Sequence, residues 1–282
     1  MTEIKNITES LYNNRLGTET LNYSILASGS SGNCIYVESA THGVLIDAGL
    51  SGKRIEGLMA QIDRTLHDVD AIFVTHEHKD HVHGVGVLSR KYKLPIYANK
   101  NTWSQMANMI GKIEPDFVCY IEPEETISIG DIDVFSYEVS HDSIQPQFYS
   151  LQRGEKQFVL LTDTGYVSNR LSDILYNADS YLIESNHEIE MLRYGRYPWS
   201  VKQRILSDKG HLSNEDGAIA MTNLIGNNTK DIYLGHLSKD NNTKQLAMDT
   251  MTDVLQQYDF AVNEDFNLHM TDPTEATPLK RL

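Results

Sequence analysis

The chain is poor in cysteine, in basic residues and in long apolar stretches, and each shortage removes a class of protein. Two cysteines, Cys34 and Cys119, stand far apart and form no motif, so a disulfide framework is excluded and a reduced, cytoplasmic protein is expected. Only 24 lysines and arginines face 39 acidic residues, a net charge of −15 with histidine neutral. A diffusely basic nucleic-acid coat protein is thereby ruled out, though a local basic patch is not. No apolar run approaches the length needed to cross a bilayer, and no membrane partner is expected. The first residues, MTEIKNITESLYNNRLG, lack both the basic head and the apolar core of a secretory signal. Linkers, repeats and low-complexity tracts are missing too. At 282 residues, with 40% hydrophobic and 22% charged side chains, this reads as an ordinary globular chain. We expect a mobile extension over 1–20, one domain over 21–268, and a loose tail over 269–282, where two prolines and few apolar groups occur.

Short β-rich runs are present throughout: 23–26, 34–38, 44–46, 71–74, 95–97, 132–138, 158–161, 181–183 and 232–234. Helical patterns separate several of them, at 51–62, 83–93, 101–110, 168–176, 213–225 and 243–258. Strands following strands with helices inserted predict two sheets covered by helices on their outer faces. The 11 histidines are the unusual entry in the composition, and most polar clusters come directly after an apolar strand.

The densest cluster is Thr75-His76-Glu77-His78-Lys79-Asp80-His81, behind the strand at 71–74. Three imidazoles and a carboxylate in six residues form a ligand set for a divalent metal: His76 and His78 can face one ion, Asp80 and His81 a second. The plainer alternative is a solvated histidine turn. The pattern H-x-H-x-D-H would arise by chance in only about one chain of this size in a thousand. Four more strand ends carry such groups: Asp47 in L-I-D-A-G, His141 in V-S-H-D, Asp163 in L-L-T-D-T-G and His236 in L-G-H-L-S. A lone histidine or aspartate at a strand end usually satisfies a turn. Together with the 75–81 motif these four complete two metal shells.

With those residues in that order, the chain resembles the metallo-β-lactamase superfamily. The stretches 26–34, 45–53, 75–92, 184–216 and 234–242 are similar to the YycJ/WalJ family of small bacterial metallo-hydrolases, regarded as 5′→3′ exonucleases on DNA. Two departures, the N-terminal extension and a glycine-free segment after His141, touch no ligand position. The resemblance implies a four-layer αβ/βα sandwich with two divalent ions, zinc or manganese with iron as a further option, at one edge. It assigns His76, His78 and His141 to one ion and Asp80, His81 and His236 to the other, with Asp163 bridging. Asp47 would hold a ligand or the loop from behind. The implied reaction is phosphodiester hydrolysis at a free 5′ end, with a metal-bridging hydroxide as nucleophile. His78 disfavours the di-iron oxygen-reducing relatives, which suit glutamate there. Asp163 and His236 stand 73 residues apart, too close to hold the inserted domain of ribonuclease J.

Two further histidines stand out. His211, in G-H-L-S before a helix, resembles the proton-donor segment of ribonuclease Z; with Asp80 and Asp163 it makes the expected catalytic set. His187, after the strand at 181–183, is expected to support a ligand or to be a packed imidazole. Residues 191–211 hold five basic side chains against the single acid Asp208, a net +4 in an acidic protein, interleaved with Tyr194, Tyr197 and Trp199. Basic groups for phosphates and aromatic faces for stacking suit a nucleic-acid strand; a surface loop with buried aromatics is the alternative. The expected substrate contacts are Arg193, Arg196, Lys202, Tyr197 and Ser213. Ser28–Asn33 is either a phosphate loop or a tight turn. A different chemistry, thioester or lactone hydrolysis of the glyoxalase II or lactonase type, would need neither the strip nor His211. A metal-binding scaffold protein is a third, non-enzymatic reading.

Overall fold

The computed structural model describes residues 20–282. All but the last residue of the expected N-terminal extension lies outside them. Two seven-stranded sheets make the body. In the first, the order is β14(Lys280–Arg281)-β1(Asn22–Ala27)-β2(Cys34–Glu38)-β3(Gly43–Ile46)-β4(Ala71–Phe73)-β5(Ile96–Ala98)-β6(Val118–Tyr120). In the second it is β13(Asn267–Met270)-β12(Asp231–Gly235)-β11(Ser180–Glu184)-β10(Lys156–Leu161)-β9(Gln147–Arg153)-β8(Ile132–Glu138)-β7(Thr126–Ile129). Both are mixed. Strands β3 to β6 run parallel in one, β10 to β13 parallel in the other, and the rest pair antiparallel.

Three apolar layers hold these sheets in register. Between them, Tyr23 stacks on Phe158 with ring centroids 4.3 Å apart, and Phe73, Tyr149 and Tyr233 join the same cluster. Outside the first sheet pack α1(Gly52–Gln61), α3(Val85–Tyr92) and α4(Lys100–Ile110); outside the second, α5(Asn169–Leu175), α8(Asn214–Thr222) and α9(Lys244–Gln257). This is the four-layer sandwich expected. Polar residues start most of these helices: Ser51, Asn99, Ser168, Ser213 and Thr243 each accept a backbone N–H from their own first turn, each cap contributing about 1 kcal/mol. Three shorter helices, α2(Lys79–Val82), α6(Ile189–Tyr194) and α7(Trp199–Ile205), frame the sheet edge where the polar clusters meet.

The C-terminal residues correct the expectation of a loose tail over 269–282. Strand β13 crosses the expected boundary, and β14 pairs with β1. Thr277 donates its N–H to the Ile25 carbonyl and accepts from Ile25 N through its hydroxyl at 2.9 Å, while its own carbonyl takes the Ser24 hydroxyl at 2.6 Å. A segment with few apolar groups is held here by backbone pairing, which composition does not reveal. Among the described residues no helix is long and apolar enough to cross a membrane.

Candidate active site

Parallel strands deliver their ends to one edge, so β3, β4, β10, β11 and β12 bring their following residues together. At three of these ends the backbone turns sharply. Asp47, Asp163 and His236 have φ of 59°, 57° and 55°, a left-handed conformation that disfavours residues with a Cβ. The turn aims each side chain inward over the edge instead of along the sheet. The 75–81 loop is seated by close backbone contact: a Cβ at Gly49 would lie 1.6 Å from the Asp80 carbonyl oxygen, so only glycine fits beneath it.

The histidines share a common orientation. His81 Nδ1 meets Asp47 at 2.7 Å, His236 Nδ1 meets Glu184 at 2.8 Å, His141 Nδ1 meets the Gly210 carbonyl at 3.1 Å and His76 Nδ1 meets the Thr75 hydroxyl at 2.9 Å. A carbonyl or carboxylate at Nδ1 requires that nitrogen to carry the hydrogen, which leaves Nε2 of His81, His141 and His236 as the nitrogen able to offer a lone pair to an ion. Those nitrogens converge. His141 Nε2 and His236 Nε2 lie 3.8 and 3.4 Å from Asp163 Oδ1, and His81 Nε2 lies 3.3 Å from Asp163 Oδ2. Asp80 Oδ2 stands 3.6 Å from His81 Nε2 and 3.7 Å from His236 Nε2, and His78 Nδ1 faces His76 Nε2 at 3.1 Å.

Donor atoms thus gather as His76, His78 and His141 in one group and as Asp80, His81 and His236 in another, with Asp163 reaching both. His141 Nε2, His236 Nε2 and Asp163 Oδ2 are buried without a hydrogen-bond partner, a costly arrangement unless a cation completes it. His81 Nε2 has the Asn33 amide at 3.1 Å and would exchange it for an ion. The donor set therefore fits divalent metal. Glu184 and His211 also lie within reach of Asp163 and His236, but His211 Nδ1 and His236 Nδ1 are both committed to Glu184.

Charge follows the same logic. Burial alone would raise the Asp163 carboxyl, yet His236 and His81 beside it hold it well below the usual range. Burial opposes a proton on His81, but Asp47 and Asp163 outweigh it and push the imidazole well above its ordinary value. His236 is raised in the same way by Asp163, Asp80 and Glu184. His76, with weaker carboxylate support, is driven well down by burial. The acids call for positive charge at the point where the free nitrogens meet.

Glu184, at the end of β11, carries a role that the sequence reading did not assign. It is fully buried and accepts from His211 Nδ1 at 2.7 Å, from His236 Nδ1, and from the backbone N–H of Thr164 at 3.1 Å. Burial would raise its carboxyl, but His211 and His236 bring it down to about 2. The readable signal was a carboxylate closing the buried strand Tyr181–Ile183, in line with Asp163 and His236. His187 matches the second of its two expected roles, the packed imidazole. It is buried, neither ring nitrogen has a partner, and burial pushes its pKa down to about 4, so it supports no ligand by hydrogen bonding. Asp47 accepts from Thr75 N and Thr75 Oγ1 at 2.9 Å each as well as facing His81.

A cleft of about 510 Å³ opens over the centre, with His78, Asp80, Asp163, His211 and His236 in its wall. Of the five expected substrate contacts only Tyr197 lines it, its hydroxyl donating to Asp240 at 2.9 Å. Lys202 is corrected: it is buried, and its Nζ donates to the Arg193 carbonyl at 2.7 Å, closing the end of α6. Ser213 is corrected likewise, being the buried cap of α8. Arg193 is exposed and paired with Glu190, and Arg196 is exposed outside the cleft wall. The loop Ser28–Asn33 serves as a tight turn whose Ser28 hydroxyl accepts from His236 N at 2.9 Å.

The Beta-lactamase superfamily domain matches residues 42–236, which hold every donor described above. The chain belongs to the metallo-β-lactamase superfamily. Within it, the sequence is 56% identical over 262 residues to the exodeoxyribonuclease WalJ of Streptococcus pneumoniae, covering 92% of this chain and 97% of that protein. It is 49% identical over 260 residues to the exodeoxyribonuclease YycJ of Bacillus anthracis, covering 92% and 98%. Among solved structures, the metallo-β-lactamase fold protein YhfI from Bacillus subtilis superposes with a TM-score of 0.68 at 14% identity, over 92% of this chain and 99% of that one. This member of the metallo-β-lactamase superfamily is therefore an enzyme, a metal-dependent hydrolase of the WalJ/YycJ nuclease family.

Proposed function

We propose that the chain is a dinuclear, divalent-metal-dependent exodeoxyribonuclease that works from a free 5′ end of DNA. The observation that carries this reading is the convergence of a three-imidazole group and an imidazole-and-carboxylate group on Asp163 in the wall of an open cleft; the WalJ and YycJ relatives supply the substrate class. Two ions of zinc, manganese or iron in those groups would supply an activated hydroxide as nucleophile and a clamp on a non-bridging phosphate oxygen.

The chain's own residues would do the rest. Asp47 and Glu184 fix the rings of His81 and His236 through Nδ1, and Asp163 holds the two groups at one spacing. Cleavage expels a 3′-alkoxide, far too basic to leave unaided at neutral pH. His211 lines the cleft with Nδ1 anchored on Glu184, so its Nε2 is the nitrogen free to hand a proton to that oxygen, for roughly 10²–10⁴-fold in rate. The free thiols Cys34 and Cys119 support action in a reducing cytoplasm.

The test is product analysis. Metal-loaded protein given 5′- or 3′-labelled single- and double-stranded DNA, RNA and S-lactoylglutathione should release nucleotide from the 5′ end of DNA. Turnover of the thioester with none of DNA would favour the glyoxalase-type alternative and overturn this reading. His211→Ala should retain both metals and lose about two orders of magnitude or more in kcat on DNA. On bis-p-nitrophenyl phosphate, whose leaving group needs no proton, the loss should be much smaller. Equal losses on both would remove His211 from the proton-donor role.

A further inference from the structure

Among the described residues, one side chain with a permanent positive charge faces the cleft besides Lys79: Arg204, near the end of α7. Its guanidinium is more than half exposed and pairs through Nη1 with Asp142 Oδ2 at 3.0 Å. Asp142 also lines the cleft, and its other oxygen lies 3.2 Å from His141 Nε2. The pair therefore stands at the lip of the donor cluster, between α7, which lies within the basic stretch, and the loop that carries His141. The helix is well anchored: Ile205 and Lys202 are buried beneath it, and Lys202 Nζ ties it to α6. A rigid element thus presents an arginine over the centre, and seven residues later the same segment supplies His211.

A solvent-exposed ion pair of this kind is weak and readily exchanged. A phosphodiester offers the guanidinium fork two oxygens and a full charge, a better match than one oxygen of a tethered carboxylate. While Asp142 holds Arg204 the lip is electrically closed, because the carboxylate both occupies the arginine and repels an entering phosphate. We propose that Arg204 grips the phosphate adjoining the scissile bond and that Asp142 is its resting partner, displaced when the strand enters. This assignment rests on the nucleic-acid reading above.

The experiment measures binding, not turnover. Metal-loaded wild-type, Arg204→Ala, Arg204→Lys, Asp142→Asn and the double variant Arg204→Ala/Asp142→Asn are titrated with a hydrolysis-resistant phosphorothioate oligodeoxynucleotide across a salt series. Arg204→Ala should raise Kd about tenfold and remove ~0.7–0.9 from the log–log salt slope, the share of one phosphate contact. Arg204→Lys should keep the slope and lose part of the affinity, since the charge remains and the fork does not. Asp142→Asn should tighten binding, and by more when Arg204 is present than in the double variant. Wild-type affinity and slope in Arg204→Ala, with the protein folded, would overturn the assignment alone. Equal tightening by Asp142→Asn with and without Arg204 would reduce Asp142 to simple repulsion and overturn the latch. Failure of the wild-type protein to bind DNA at all would overturn both this and the nucleic-acid reading.

Discussion

Glu184 is the residue on which most of the site's geometry turns. One buried carboxylate orients His211, which faces the cleft, and His236, which faces Asp163. Glu184→Gln keeps the size but loses the charge; both imidazoles address Oε1 while Oε2 accepts from the Thr164 and Leu212 N–H groups, so the amide nitrogen must face one pair of donors it cannot satisfy. Supporting partners of metal ligands typically matter by 10–100-fold in affinity or activity. Glu184→Gln should therefore lower kcat by about that factor and weaken retention of the ion on the His236 side, read by metal content after dialysis. Unchanged kcat and unchanged metal content would show that the two rings are held by packing alone. Asp163→Ala, by contrast, should cost metal at both groups, since its carboxylate lies against His141 of one group and against His81 and His236 of the other.

At the scale of elements, strands were legible where apolar residues alternate or run together, and the site was legible where donors follow such strands. The span at 132–138 and that at 34–38 agree with the structure residue for residue. Strand β9 was missed because it buries polar side chains: Gln147 and Ser150 sit inside the second sheet, with Gln147 bonded to the Tyr149 hydroxyl at 2.5 Å. Hydropathy cannot distinguish a buried, satisfied glutamine from a loop residue. The α6–α7 segment shows the same limit in reverse. Its charges were read as a phosphate-binding strip, but composition does not say which lysine turns inward, and Lys202 does. Lys202→Met should destabilise the fold by about 1–3 kcal/mol through the lost bond to the Arg193 carbonyl. It should leave the salt dependence of DNA binding unchanged. A salt slope reduced by about 0.7–0.9 would show instead that Lys202 reaches substrate.

Across the whole molecule, the C-terminal residues tie the two sheets together. Asp231, at the start of β12 in the second sheet, accepts from Lys280 Nζ on β14 of the first and faces His269 Nε2, each at 2.7 Å. Burial would raise the Asp231 carboxyl, but His269 and Lys280 lower it on balance. The folded value thus lies below the unfolded value of about 3.9. Its stabilisation is complete above that unfolded value and is lost as pH falls through the lowered folded one. Asp231→Asn should lower Tm at neutral pH and converge on wild type in strong acid, with earlier amide exchange over 277–282. A Tm gap that persists undiminished at the acid end would mean that Asp231 contributes through packing rather than charge.

The left-handed turns at Asp47, Asp163 and His236 set function against robustness. Each forces a residue with a Cβ into a backbone shape that glycine adopts freely, and two of them also bury a carboxylate. A polypeptide optimised only to stay folded would discard all three. Asp163→Gly should therefore give a chelator-treated protein that melts at least as high as wild type under the same treatment, while losing activity entirely; a clear drop in melting temperature would show that the turn carries no such tension. Random drift under selection for expression alone would then erode this centre at its strand ends first, well before it touched the core between the sheets.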